Sequence, residues 1–177
     1  MAVVPIVKKP NPILDNKTEK VTDFGKETQD IIKNLKDTVD AAEDPEGAGL
    51  SANQIGVPKQ ICVVRNFIQD PLNPEDQFFK ETVMINPKIK SKSSEEEVDW
   101  EGCLSVPDTY GKVSRSIQIK VEYQDEEGKP QKIKAQDFFA RVIPLEIACL
   151  NGILFIFSFE GKTVDSDYFE NNIGKEI

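Results

Sequence analysis

Residues 137–152 read DFFARVIPLEIACLNG, and this stretch decides the fold. Asp137 suits the residue that precedes a helix, and Gly152 suits the position just past its end. Between them only Arg141 and Glu146 are charged, so nearly every face of the helix is apolar. Because no run of 18 apolar residues occurs in the chain, the stretch predicts a core helix rather than a membrane span.

Pro144 is the one residue that conflicts with this helix. It lies about two turns inside, where a proline removes a backbone donor and meets the carbonyl four residues earlier, at a cost of roughly 3 kcal/mol. The sequence therefore predicts either a kink at Pro144 or a helix that starts later.

The composition bounds the class of protein. With 177 residues, 38% of them hydrophobic and 30% charged, the chain predicts one domain over residues 1–177. A formal net charge of −9 argues against nucleic acid or an anionic membrane as a direct partner. Three widely spaced cysteines and no recognisable signal segment indicate a reducing, cytoplasmic location. The chain has no histidine, which removes the commonest general base and the commonest metal ligand.

The remaining patterns predict one amphipathic helix and several antiparallel strands, with polar loops between them. The predicted elements are a helix over 23–42, strands over 60–65, 82–86, 116–124, 131–135 and 153–157, a loop over 66–81, a polar edge or loop over 91–99 and an acidic tail over 158–177. This order favours an α+β fold in which antiparallel strands wrap around one buried core helix.

Three stretches carry chemistry: 47–54 (GAGLSANQ), 101–107 (EGCLSVP) and 145–152 (LEIACLNG). Glycines in the first would let a ligand approach the backbone closely, and Gln54 offers a neutral donor for a developing oxyanion. Taken alone, that stretch is as well explained by a tight turn leading into a strand. The glycine-rich loop lacks a following Gly-Lys-Ser/Thr, so a phosphate site is unsupported.

In their order and separation the three stretches resemble the signature motifs of the peptide deformylase family. The resemblance implies a metallohydrolase that removes the N-formyl group from the N-terminal methionine of new polypeptides. It implies a catalytic Fe²⁺ or Zn²⁺ bound by the thiolate of Cys103 and by two helix histidines, with Glu146 handling the proton of a metal-bound water. Gln54 and the backbone N–H of Leu104 would stabilise the oxyanion. The residues implied to line the substrate cleft are Gly47, Gly49, Leu50, Glu101 and Gly102.

The chain departs from the family pattern on the core helix. The family motif reads His-Glu-x-x-His, whereas this chain has Leu145 and Cys149 at the histidine positions. Ala148 stands where the family usually has Asp, and Pro144 where it usually has Gln. Leucine cannot ligate a metal, so we predict a protein that keeps the fold and the peptide cleft but is catalytically impaired or inactive.

Two alternatives stay open. In the first, Cys149 is on the face of the helix that would carry the metal ligands. Cys103, Cys149 and Glu146 could then form another metal site and support an active deformylase. The resemblance also implies that the core helix lies against the segment holding Cys103, so we expect Cys103 and Cys149 to share one site. The other alternative is a scaffold protein whose cleft has been filled by Leu145 and Phe157.

Overall fold

The computed structural model describes residues 3–42, 46–70, 72–73 and 77–173. Within those ranges the helices are α1 (Lys26–Asp40), α2 (Asp137–Leu150) and α3 (Ser166–Asn172). The strands are β1 (Gly49–Ser51), β2 (Ile61–Gln69), β3 (Gln77–Lys92), β4 (Glu96–Cys103), β5 (Val106–Ser116), β6 (Gln118–Gln124), β7 (Pro130–Gln136) and β8 (Glu160–Val164). Short 3₁₀ turns cover Pro12–Asp15, Ala52–Ile55 and Phe155–Phe157.

The strands form two antiparallel sheets. One sheet has the order β1-β2-β3-β6-β7 and the other the order β4-β5-β8. The hairpin predicted from alternating residues is present as β6 and β7, paired from Gln118 with Gln136 to Gln124 with Pro130. The predicted class, an α+β fold with antiparallel strands around a buried helix, is confirmed.

Helix α2 is the buried centre of this arrangement. Its apolar side chains pack on the larger sheet in one cluster, where Ile143 and Ala140 are fully buried beside Val64 and Val121. Each side chain as large as Ile143 contributes about 1.5–3 kcal/mol when it leaves water. A separate cluster between α1 and the same sheet includes Leu35, Val39 and Leu50. Burial against the sheet therefore fixes which face of α2 remains for the cleft.

Pro144 does not delay or end the helix. α2 runs from Asp137 to Leu150 with Pro144 buried inside it, so packing stabilises the helix despite the missing amide. Asp137 is its first residue rather than the capping residue, which is Gln136, and no side chain caps this end. Gly152 has the left-handed φ of 75° expected just past the C-terminus.

Three other expectations from the sequence are wrong. The apolar stretch 153–157 is a 3₁₀ turn instead of a strand, because its short length lets Leu154 and Phe155 become buried without strand pairing. The acidic tail contains β8 and α3, and its residues 174–177 lie outside the described ranges. β2 and β3 extend into both ends of the predicted loop over 66–81, as far as the pairing of Gln69 with Gln77. A polar strand end exposed to solvent has the same composition as a loop.

The single-domain boundaries 1–177 stay a prediction.

Candidate active site

Three elements meet at the end of β4. The 3₁₀ turn after β1 supplies Gln54, β4 ends at Cys103, and α2 supplies Glu146 and Cys149. Asn53 donates a hydrogen bond of 2.7 Å from its side-chain amide to the carbonyl of Cys149 and so ties the turn to the helix. Residues from distant parts of the sequence are thereby held in one place.

Two adjoining cavities open here, with volumes of about 160 and about 510 Å³. The residues that line both are Gly102, Cys103, Leu104 and Tyr110. The predicted cleft residues that line the smaller cavity are Gly47, Gly49, Gln54, Gly102, Cys103, Leu104 and Glu146, together with Leu145. The larger volume lies in the range of roughly 300–1,000 Å³ that is usual for ligand sites.

Two residues predicted to line the cleft have other surroundings. Leu50 is completely buried in the apolar cluster under α1. Glu101 is buried with two arginines: Arg115 donates bonds of 2.8 and 2.7 Å to its two oxygens, and Arg141 donates one of 3.0 Å. Arg141 also donates to the carbonyls of Val113 and Glu97. The Glu101 carboxylate therefore joins β4, β5 and α2.

The side-chain amide of Gln54 is oriented by four contacts. Its Oε1 accepts from the backbone N–H of Ser51 at 2.9 Å and from the Ser51 hydroxyl at 2.7 Å. Its Nε2 donates to the Ser105 hydroxyl at 3.2 Å and to the Cys103 sulfur at 3.5 Å. Both N–H groups are therefore engaged, and an oxyanion would have to replace one of these acceptors.

Cys103 and Cys149 pack in the same apolar cluster, and a hydrogen bond between their thiols is the largest influence on the pKa of each. The bond from Cys149 lowers the pKa of Cys103; burial opposes this, and the backbone N–H groups of Ser105 and Val106 assist it. The same bond raises the pKa of Cys149 well above its ordinary value, and burial raises it further. Cys103 is thus the more acidic of the two and is partly exposed, whereas Cys149 is 0% exposed.

Glu146 points from α2 toward this pair. Burial, followed by the charge of Cys103, raises its pKa well above the ordinary value, and a hydrogen bond with Ser51 opposes the rise. Its Oε2 atom is buried without a hydrogen-bond partner among the described residues. A side chain at Gly49 would place its Cβ 2.8 Å from Oε1 of Glu146, so glycine is needed for this close approach.

The donor set does not fit a catalytic Fe²⁺ or Zn²⁺ site. Such a site needs about three protein ligands and an open position. Leu145 offers no donor atom, burial favours the neutral form of Glu146, and the Cys149 thiol is turned to Cys103. In the described parts of the chain, no group of three or more His, Cys, Asp or Glu side chains could hold a metal ion. Metal binding by Cys103 and Cys149 therefore stays a prediction, and these two thiols lack a third protein ligand among the described residues.

Several residues of the site were missed from the sequence. Ser51 could have been found, since serine three residues before Gln54 is the spacing of a capping box, and the structure contains that box. A lone arginine on an apolar helix also indicates a buried anionic partner, which is how Arg141 could have pointed to Glu101. Ser105 and Tyr110 gave no such signal. The ring of Tyr110 stacks on that of Phe169 in α3 with 4.1 Å between the ring centroids, which brings α3 next to the larger cavity.

Phe157 lies outside the cleft. It is 66% exposed, and the ammonium group of Lys9 lies 5.8 Å from the centre of its ring. Of the two residues expected to fill the cavity, only Leu145 lines it.

Together these features define a class: an α+β protein in which a buried helix presents a carboxyl group to a cleft that is also lined by the thiol at a strand end and by a glutamine amide. The chain belongs to the polypeptide deformylase family, whose model matches residues 3–163. The family removes N-formyl groups by hydrolysis and uses a metal ion. None of the helices in the described ranges has the length and apolar character to span a membrane.

Relatives and solved structures agree with this assignment. Peptide deformylase 2 of Vibrio cholerae is 42% identical over 156 residues, which cover 88% of this chain and 86% of the relative. The crystal structure of class I type b peptide deformylase from Acinetobacter baumannii with bound Met-Ala-Ser has a TM-score of 0.78 and 30% identity, covering 90% of this chain and 100% of that one. A probable peptide deformylase from Synechococcus phage S-SSM7 has a TM-score of 0.76 and 36% identity, covering 88% and 99%.

Proposed function

We propose that this chain binds N-formyl-methionyl peptides in the cleft beside Cys103 but does not hydrolyse them by the family's metal-dependent reaction. The observation that carries the proposal is the difference between the cleft and the helix beneath it. The cleft keeps its glycine walls and the oriented amide of Gln54, whereas Leu145 and Cys149 leave the metal position without enough ligands.

The residues of the cleft support binding of a peptide carbonyl. Gln54 Nε2 lies at the cavity wall and exchanges its bond to Cys103 or Ser105 for a bond to the carbonyl oxygen. Burial raises the pKa of Glu146 and so favours its neutral form, which holds a proton beside the same cavity without a charge that would need solvation. The larger cavity next to Tyr110 provides room for the residues that follow methionine.

Binding and catalysis are tested separately. Calorimetry with formyl-Met-Ala-Ser is expected to give saturable binding that is unchanged by a chelator. Formate release from the same peptide should stay at background when Fe²⁺, Co²⁺ or Zn²⁺ is supplied. Release by the unaltered chain would contradict the proposal and favour an active site built from Cys103, Cys149 and Glu146. No binding would favour the scaffold alternative.

Two sets of variants sharpen the test. Leu145→Trp fills the smaller cavity and should weaken binding at least tenfold, while Phe157→Trp, at an exposed position, should leave it unchanged. Leu145→His with Cys149→His supplies two imidazoles one helical turn apart, on the side of α2 that faces Cys103. This double variant should take up one metal ion and release formate, provided that circular dichroism shows it folded.

A further inference from the structure

We propose that Cys103 and Cys149 form a redox-active dithiol, which closes to an intramolecular disulfide when a hydroperoxide enters the cleft. The proposal concerns a modification of this chain and does not depend on the peptide-binding function proposed above.

The positions of the two sulfurs carry the inference. Cys103 ends β4 and Cys149 lies in the last turn of α2, and both cysteines belong to one apolar cluster beneath the cleft. Leu14 and Leu154 complete this cluster and hold the two cysteines side by side. A disulfide bond requires sulfurs about 2.05 Å apart, so closure needs the two neighbouring side chains to approach each other.

The two thiols differ in their access to an oxidant. Cys103 lines both cavities, whereas Cys149 is 0% exposed and lies behind it. A hydroperoxide therefore reaches Cys103 first. Gln54 Nε2 donates to the Cys103 sulfur at 3.5 Å and keeps that sulfur in place at the cavity wall.

The chemistry balances with the hydroperoxide as the two-electron oxidant. The Cys103 sulfur attacks the terminal peroxide oxygen, the O–O bond breaks, and the leaving oxygen takes up the proton of the thiol and departs as an alcohol or as water. Cys103 is then a sulfenic acid. The Cys149 sulfur attacks the Cys103 sulfur and the S–O bond breaks. The hydroxyl group leaves as water with the proton from Cys149.

The third cysteine provides the matched control. Cys62 is completely buried in β2 with its sulfur 3.9 Å from the carbonyl of Met84, in the cluster on the other side of α2. Trypsin separates the three cysteines into peptides 60–65, 93–112 and 142–162, so a cross-link between any two is identified directly by mass.

The reduced full chain is treated with one equivalent of hydrogen peroxide and then analysed by intact mass and by non-reducing peptide mapping. We expect a loss of about 2 Da, a covalent link between peptides 93–112 and 142–162, and full reversal by dithiothreitol. Cys62→Ser should behave identically. Cys149→Ser should instead accumulate a sulfenic acid at Cys103 that is trapped by dimedone.

Three results would overturn the proposal. They are a link that involves Cys62, a link only between two copies of the chain, and irreversible oxidation of Cys103 in the unaltered chain without any disulfide. The unaltered chain and Cys62→Ser decide the matter by themselves if Cys149→Ser does not fold.

Discussion

Replacing Glu101 by alanine should lower the free energy of unfolding by about 3–5 kcal/mol, the usual loss when one partner of a buried ion cluster is removed. The side chain of Glu101 is 2% exposed, and those of Arg115 and Arg141 are 15% and 6% exposed. Three bonds of 2.7–3.0 Å disappear in the variant, and two guanidinium groups lose the only carboxylate that accepts bonds from both of them among the described residues. The loss therefore comes mainly from uncompensated buried charge.

The assay is urea unfolding followed by fluorescence of Trp100, which lies next to Glu101 on β4. For an m-value of about 2 kcal/mol/M, the predicted loss moves the midpoint down by about 1.5–2.5 M. Glu101→Gln keeps the shape of the side chain and separates the loss of charge from the loss of volume. The control is Glu96→Ala on the same strand, because Glu96 is exposed and its carboxylate accepts one hydrogen bond, of 2.8 Å from the Ser114 hydroxyl, among the described residues. It should change stability by less than about 0.5 kcal/mol.

A loss below about 1 kcal/mol for Glu101→Ala, with an unchanged m-value, would refute the reasoning. A variant of full stability that no longer binds formyl-Met-Ala-Ser would restore the prediction that Glu101 contacts substrate.

Three further outcomes follow from the cleft. Gly49→Ala should lower the free energy of unfolding by about 1–3 kcal/mol, because its Cβ meets the carboxyl of Glu146. Adding Glu146→Ala should recover part of that loss in a double-mutant cycle, and additive losses would contradict the contact. Because burial raises the folded-state pKa of Glu146 above 4.5, its stabilising contribution is fully present below that pH and is lost as pH rises through the folded pKa. Urea unfolding from about pH 4 to about pH 9 should thus show the unaltered chain losing stability relative to Glu146→Gln, and parallel curves would contradict this. Iodoacetamide should label native Cys103 well before Cys62 and Cys149, because Cys103 alone among the three cysteines is partly exposed and its pKa is lowered. Intact mass and peptide mapping would show the order of labelling. Equal labelling would mean that the cleft is open to Cys149.

The buried helix could be predicted from the sequence because its signal is local and strong. Between residues 137 and 152 only Arg141 and Glu146 interrupt the apolar pattern, and no amphipathic arrangement competes with burial. The alternation in β6 and β7 is equally clear. The path through Pro144 could not be predicted, because the free energy that stabilises a helix at a proline comes from tertiary packing.

The motifs single out Gln54, Cys103 and Glu146, and these three residues line one cavity. The hydrogen bonds that hold them are harder to predict: the capping-box spacing indicates Ser51, but nothing in the sequence shows that Ser105 also bonds the amide of Gln54. The resemblance assigned Glu101 to the cleft, whereas a register shift between Gly102 and Cys103 interrupts the alternation of β4 and the Glu101 carboxylate is bonded by Arg115 and Arg141. The direction of a side chain from a strand end depends on register, which the motif does not encode.

The separation of the site residues along the chain has a consequence for folding kinetics. The bond from Gln54 to Cys103 spans 49 residues, and the bond from Asn53 to Cys149 spans 96. Loops of this length must close before either contact stabilises the chain, so such contacts form slowly. The hairpin of β6 and β7 needs only a short turn and can form early. We therefore expect the Cys103 thiol to stay more open to the solvent during refolding until α2 packs beside it.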